Sequence, residues 1–172
     1  PDMGRQLYET EPRFAAALDE VAAAMELELD VPLLSVMFGA DAAGYLDNTR
    51  YVQPALFAIE YALAQLLDYW GIEPDIVIGH SVGEITAACV AGMLDVDDAV
   101  RFVVARGRLM GALPAGGKMF ALTATRQQAQ EWLAGFEETV SVATVNGPNS
   151  TVIAGVAADV EAVAAIAAAA GS

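Results

Sequence analysis

The sequence predicts an α/β chain in two parts, and three observations carry that prediction. A short β-branched run, Asp75-Ile76-Val77-Ile78-Gly79, feeds straight into a helical segment through Gly79-His80-Ser81-Val82-Gly83. Long stretches with apolar residues at helical spacing flank it on both sides. Beyond Ala115-Gly116-Gly117 the order changes to strand, helix, strand, strand, helix, a split βαβ unit without its last strand. The glycine break divides the chain into predicted domains at residues 1–115 and 116–172.

Taken in order, the first predicted helix follows Thr10, read as its N-cap, with Pro12 in the first turn and Phe14, Leu18, Val21 and Met25 as its apolar stripe. A shorter apolar segment, Pro32 to Phe38, leads into a polar loop from Gly39 to Arg50. A strong helix is predicted from Gln53 to Trp70, opened by Pro54 and stopped by Gly71. The run at 75–79 reads as a buried parallel strand. Helices are then predicted at Val82–Met93 and Val96–Met110. In the second part the predicted elements are strand Lys118–Ala124, helix Arg126–Phe136, strands Thr139–Val145 and Ser150–Ala154, and helix Ala157–Ala170. Thr125 with Gln128 is a capping-box signature, and Asn146-Gly147 marks a turn between paired strands.

Composition narrows the function classes. The 172 residues carry a net charge of -15, which repels a nucleic-acid backbone and fits solubility without naming a partner. Although 56% of residues are apolar, alanine supplies much of that share, and no long uncharged run suggests a membrane span. Pro1-Asp2-Met3-Gly4 has no signal-peptide character, and the single cysteine, Cys89, cannot form an internal disulfide. A reducing cytoplasm is the expected location.

The chemistry sits at Gly79-His80-Ser81-Val82-Gly83. A strand entering a helix through G-x-S-x-G is a nucleophile elbow, in which glycines permit a tight turn that lifts the serine hydroxyl. The helix N-terminus and the backbone N–H of Val82 would face an oxyanion formed on an acyl-serine. His80 is the only histidine, but neighbours at such a turn project in different directions, so it is not read as the base. It is expected to pack beside the strand end. Glu84, in the first helical turn, either answers the helix dipole or lines the site.

Arg106 is the second candidate. On a helical wheel of about 100° per residue, Asp97, Asp98, Arg101, Ala105 and Arg108 share one side. Phe102, Ala99, Met110, Val103 and Val96 share the other, with Arg106 in their midst. A guanidinium stays charged and is costly to bury unpaired. It therefore needs an anion, either an internal Asp or Glu or a carboxylate arriving with substrate.

Four segments then combine: Gln53-Pro54-Ala55-Leu56-Phe57, Gly79-His80-Ser81-Val82-Gly83-Glu84, Arg106-Gly107-Arg108-Leu109-Met110 and Asn146-Gly147-Pro148. Together they resemble the acyltransferase domains of modular type I polyketide synthases and, more distantly, the malonyl-CoA:acyl-carrier-protein transacylases. The resemblance implies an α/β-hydrolase-like large subdomain with a nucleophile elbow and a ferredoxin-like small subdomain, both incomplete in this chain. It makes Ser81 the nucleophile, Val82 N–H an oxyanion donor, Arg106 the partner of the malonyl carboxylate and Gln53 a pocket-ordering residue. His80 joins Gln53 and Arg106 in the substrate-binding set. Val82, and the stretch Asn48 to Gln53, match the malonyl-type pattern.

The same resemblance implies acyl-CoA and the phosphopantetheine of an acyl carrier protein as reactants, neighbouring synthase domains as partners, and no metal or bound cofactor. It also implies a Gly-Gln-Gly-Ser-Gln-type segment ahead of Pro1 and a catalytic histidine after Ser172. The chain is thus expected to be a fragment of a longer enzyme. A lipase-like serine hydrolase shares the elbow, although a mid-face arginine has no use for a neutral ester. A non-catalytic docking fragment of a synthase is the third reading.

Overall fold

The N-terminal half is built from helices because its apolar residues recur at helical spacing and its breaks carry capping residues. In the computed structural model, which describes residues 1–171, these are α1 (Arg5–Thr10), α2 (Pro12–Met25), α3 (Leu33–Phe38), α4 (Ala42–Leu46), α5 (Thr49–Tyr69), α6 (Gly83–Val90) and α7 (Val96–Gly111). They belong to one compact unit, Pro1–Leu113. Its core joins Phe14, Leu18, Val21 and Met25 of α2 to Phe57, Ala58, Ala62 and Leu66 of α5 and to Ala99, Val100, Val103 and Val104 of α7. Gly71 stops α5 as expected. Its φ of 75° is left-handed, and the bonds Ile72 N–H to Leu67 O and Gly71 N–H to Asp68 O complete a Schellman motif.

Three expectations for this half need correction. Thr10 does not cap α2; it ends α1, where its hydroxyl donates to Gln6 O at 2.7 Å, and Glu11 stands at the N-cap of α2. The helix α5 begins four residues before Gln53, capped by Asn48, whose side chain accepts from the Arg50 N–H. Pro54 therefore lies inside the helix and leaves the Arg50 carbonyl without its usual donor. The third correction is the run at 75–79, which forms no strand. A strand exists only by ladder hydrogen bonds to a neighbour, and all three strands among the described residues belong to the other unit. Ile76 and Ile78 are consequently 88% and 95% exposed.

The second unit, from Pro114 onward, follows the βαββα order: β1 (Gly117–Leu122), α8 (Arg126–Trp132), β2 (Val140–Gly147), β3 (Ser150–Val156) and α9 (Ala157–Ala169). The strands form an antiparallel sheet in the order β1-β3-β2, with Phe120 and Val142 in register with Ile153. Ile153 is fully buried with Leu122, Ala129, Val140, Val160 and Val163. The capping box at Thr125 and Gln128 is formed in both directions. The chain is α/β as a whole: among the described residues the first unit is helical, and the second combines the sheet with two helices. No helix among the described residues is long and apolar enough to cross a membrane.

Candidate active site

Among the described residues Ser81 is one of two non-glycine residues with positive φ, at 56°. That conformation costs a serine about 1–3 kcal/mol and persists only where the surroundings enforce it. Gly79 shows part of how. A Cβ there would lie 2.1 Å from the carbonyl carbon and oxygen of Gly83 and 2.2 Å from Glu84 N, so the chain folds back on itself and only glycine fits. Three short turns follow, from Gly83 N–H to His80 O, Glu84 N–H to Ser81 O and Ile85 N–H to Val82 O. Val82 and Ile85 are buried and anchor α6 to the core, while Ser81 stays exposed at the helix entrance. Among the described residues the Val82 N–H has no acceptor.

Arg106 reaches this elbow from α7. Its Nη2 donates to Ser81 Oγ at 3.2 Å, and its Nη1 donates to Gln53 Oε1 in a short bond. The Gln53 amide is itself held, its Nε2 donating to Thr49 Oγ1 at 2.7 Å and lying 3.4 Å from Met110 Sδ. Ser81, Gln53 and Arg106 are thus one hydrogen-bonded cluster assembled from α5, α7 and the elbow. Among the described residues no carboxylate lies within ion-pairing distance of Arg106.

The helical wheel placed Arg106 at the centre of the buried face, and the structure corrects this. The buried stripe of α7 is Ala99, Val100, Val103, Val104 and Gly107, whereas Phe102 and Met110 are 55% and 43% exposed. Arg106 is half-buried at the edge of the stripe. The wheel was rotated because it gave Gly107 no weight. A Cβ on Gly107 would lie 2.9 Å from Arg50 O and 3.2 Å from Thr49 O, so the glycine is the point of closest approach of α7 to α5. That approach brings Arg106 onto Gln53.

Residues 2–171 match the acyl transferase domain family. The chain belongs to that family. It is 50% identical over 161 residues to the phenolphthiocerol synthesis polyketide synthase type I Pks15/1 of Mycobacterium marinum, an alignment covering 94% of this chain and 8% of that protein. The chain therefore spans a small part of the polyketide synthases it matches. Among solved structures, the acyltransferase domain from the second module of the salinomycin polyketide synthase superposes with a TM-score of 0.90 at 50% identity, over 98% of this chain and 39% of the other. The acyl-carrier-protein-S-malonyltransferase of Bartonella henselae superposes with a TM-score of 0.84 at 31% identity, over 98% and 55%.

In this acyl transferase family member, three further groups stand near the elbow. His80 does not pack against a strand end; it is exposed, and its carbonyl accepts from Gly83. Glu84 is exposed in the first turn of α6, where a negative charge is favoured by the helix dipole. Burial pushes the Cys89 thiol up, with Asp95 and Glu20 adding to the effect, so it is protonated at neutral pH and no rival nucleophile. Thr49, Met110 and Gly107 lie in segments that the sequence reading quoted, but it gave none of them a role of its own at the site. Thr49 lies one helical turn before Gln53 and would have been found had the helix been started at Asn48.

Proposed function

We propose that this domain loads a malonyl-type unit from coenzyme A onto Ser81 and passes it to the phosphopantetheine thiol of an acyl carrier protein, as part of a polyketide synthase. The observation that carries this reading is the state of Arg106: a half-buried guanidinium beside the nucleophile, held by two neutral oxygens and, among the described residues, by no carboxylate. A planar, permanently charged fork is suited to a carboxylate, and a malonyl group brings one at the right end.

In the proposed reaction the Ser81 oxygen attacks the thioester carbon, and its proton passes to a base. The family's pattern assigns that base to a histidine other than His80. The Val82 N–H, with no acceptor of its own, receives the oxyanion at the head of α6. The C–S bond breaks and coenzyme A leaves as the thiol. Meanwhile the free carboxylate replaces Ser81 Oγ on Arg106, with Gln53 holding the guanidinium in plane. The carrier-protein thiol then attacks the acyl-serine and regenerates Ser81. An ordinary acyl group leaves Arg106 without a charged partner, which is the proposed source of selectivity.

The relatives support this reading, since they are polyketide synthases, and the Bartonella protein is by name a malonyltransferase acting with acyl carrier protein. Val82 after the nucleophile favours malonyl over branched units. We read residues 1–115 as an α/β-hydrolase-like large subdomain and 116–172 as a ferredoxin-like small one, the latter supported by the β1-β3-β2 order. A cytoplasmic location suits the substrates and the lone cysteine.

Intact-protein mass after incubation with malonyl-CoA, methylmalonyl-CoA and acetyl-CoA tests the proposal. A malonyl adduct on the parent and none on Ser81→Ala is expected. Arg106→Ala should lower malonyl loading roughly 10- to 100-fold, the value of a charged hydrogen-bonded partner, and raise the acetyl-to-malonyl ratio. An unchanged ratio sinks the role of Arg106. Absence of adduct both in this chain and in the longer synthase polypeptide sinks the reading.

A further inference from the structure

Two turns beyond Gln53, and on the same side of the helix, α5 also touches α6. There Glu60 Oε2 accepts a hydrogen bond from Thr86 Oγ1 of α6 at 2.5 Å. A Cβ placed on Gly83 would meet the same carboxylate at 3.8 Å and 3.9 Å. Glu60 therefore lies along one face of α6, from its first residue to the next turn. It is half-buried and lines a cleft of about 740 Å³ with Gly79, His80, Gly83 and Thr86. Among the described residues it pairs with no basic side chain. A carboxylate in such a place needs a donor, and the length of the Thr86 bond is that of a charge-assisted one.

We propose that Glu60 is a positioning residue for the nucleophile, acting through Thr86. Thr86 is buried, and a threonine hydroxyl inside a helix otherwise turns back to the carbonyl four residues earlier, which bends the helix. For Thr86 that carbonyl belongs to Val82, whose own N–H faces the oxyanion in the proposed reaction. By accepting the Thr86 hydroxyl's hydrogen bond, Glu60 leaves the first turn of α6 straight and fixes its height over α5. Gln53 sets the height of Arg106 over the same helix. A single rigid element thus gauges both the serine and the arginine. Among the described residues no side chain caps α6, which is eight residues long, so this bond ties α6 directly to α5, beside the link that runs from Ser81 through Arg106 to Gln53.

The inference rests on Ser81 being the nucleophile of the proposed transferase, and its test is separable from that reading. The rate of Ser81 labelling by a fluorophosphonate is measured by intact mass on the parent, Thr86→Val, Thr86→Ser, Glu60→Met and Glu60→Gln, each shown folded by circular dichroism. Removal of either partner, in Thr86→Val or Glu60→Met, should slow labelling at least about tenfold, as a displaced reacting group does. Thr86→Ser and Glu60→Gln, which keep donor and acceptor, should restore the rate to within about threefold. Equal rates in all five proteins, or Gln no better than Met at position 60, overturn the proposal, as does a parent that the reagent leaves unlabelled. A parent labelled by the fluorophosphonate, with no malonyl adduct either in this chain or in the longer synthase polypeptide, defeats the transferase reading and leaves the positioning role standing. Equal malonyl loading of parent, Thr86→Val and Glu60→Met does the reverse.

Discussion

The two units of this chain treat local rules of structure in opposite ways. From Pro114 onward the rules are largely obeyed: a reciprocal capping box opens α8, a turn joins β2 to β3, and Val142, in register with Ile153, packs against the core. In the helical unit they are broken at several points. A proline sits inside α5, a serine holds φ at 56°, a glycine in α7 lies against another helix's backbone, and two isoleucines stand in solvent. The breaks cluster around Ser81, Gln53 and Arg106. Departures from local preference need compensation from the surrounding structure, and they collect where a site requires them.

Substitutions at the glycines break or sharpen that contrast. The largest effect is expected at Gly79→Ala, because the new Cβ would meet the Gly83 backbone at 2.1 Å. The elbow must open, and Ser81 labelling or acylation should fall by about 100-fold, read by time-resolved intact mass. Gly155 shows that the sheet unit also has a tight place, since a Cβ there would lie 2.0 Å from Thr139 O. Gly155→Ala should cost about 3 kcal/mol in denaturant unfolding of that unit, with the reactivity of Ser81 unchanged. If it silences the serine as Gly79→Ala does, the contrast fails.

A smaller effect is expected at Gly107→Ala. The gain in helix propensity, about 1 kcal/mol, opposes the contact at 2.9 Å from Arg50 O. Net stability should change little, while the ratio of malonyl to acetyl loading drops as Arg106 moves off Gln53. Smallest of all, Thr125→Ala should remove about 1 kcal/mol by loss of the α8 cap, visible in thermal unfolding and absent from any loading assay.

The obedient parts were the legible ones. The stripe Phe14, Leu18, Val21 and Met25, the stop at Gly71, the cap at Thr125 and the βαββα order all follow from periodicity and capping chemistry, and the structure has each of them. Ser81 was singled out by its glycine frame and Arg106 by a charge near an apolar helix face, and the structure brings Arg106 Nη2 within 3.2 Å of Ser81 Oγ. Three features were not legible. The strand expected at 75–79 depends on a ladder partner, which no property of its own residues supplies. The buried face of α7 was misread because a glycine hides a close helix approach from any hydrophobicity count. The start of α5 was misplaced because Pro54 was taken for an N-terminal signal, when Asn48 supplies the cap.

The left-handed backbone of Ser81 separates what is best for folding from what is best for chemistry. Glycine would relieve the conformation at that position and serine cannot, so at this residue thermostability and reactivity are in competition. A directed-evolution campaign scored on heat resistance alone would be drawn toward glycine at residue 81 and would report its catalytically dead members as successes. Selection for turnover has to run alongside selection for robustness, from the first round, if the elbow is to survive the screen.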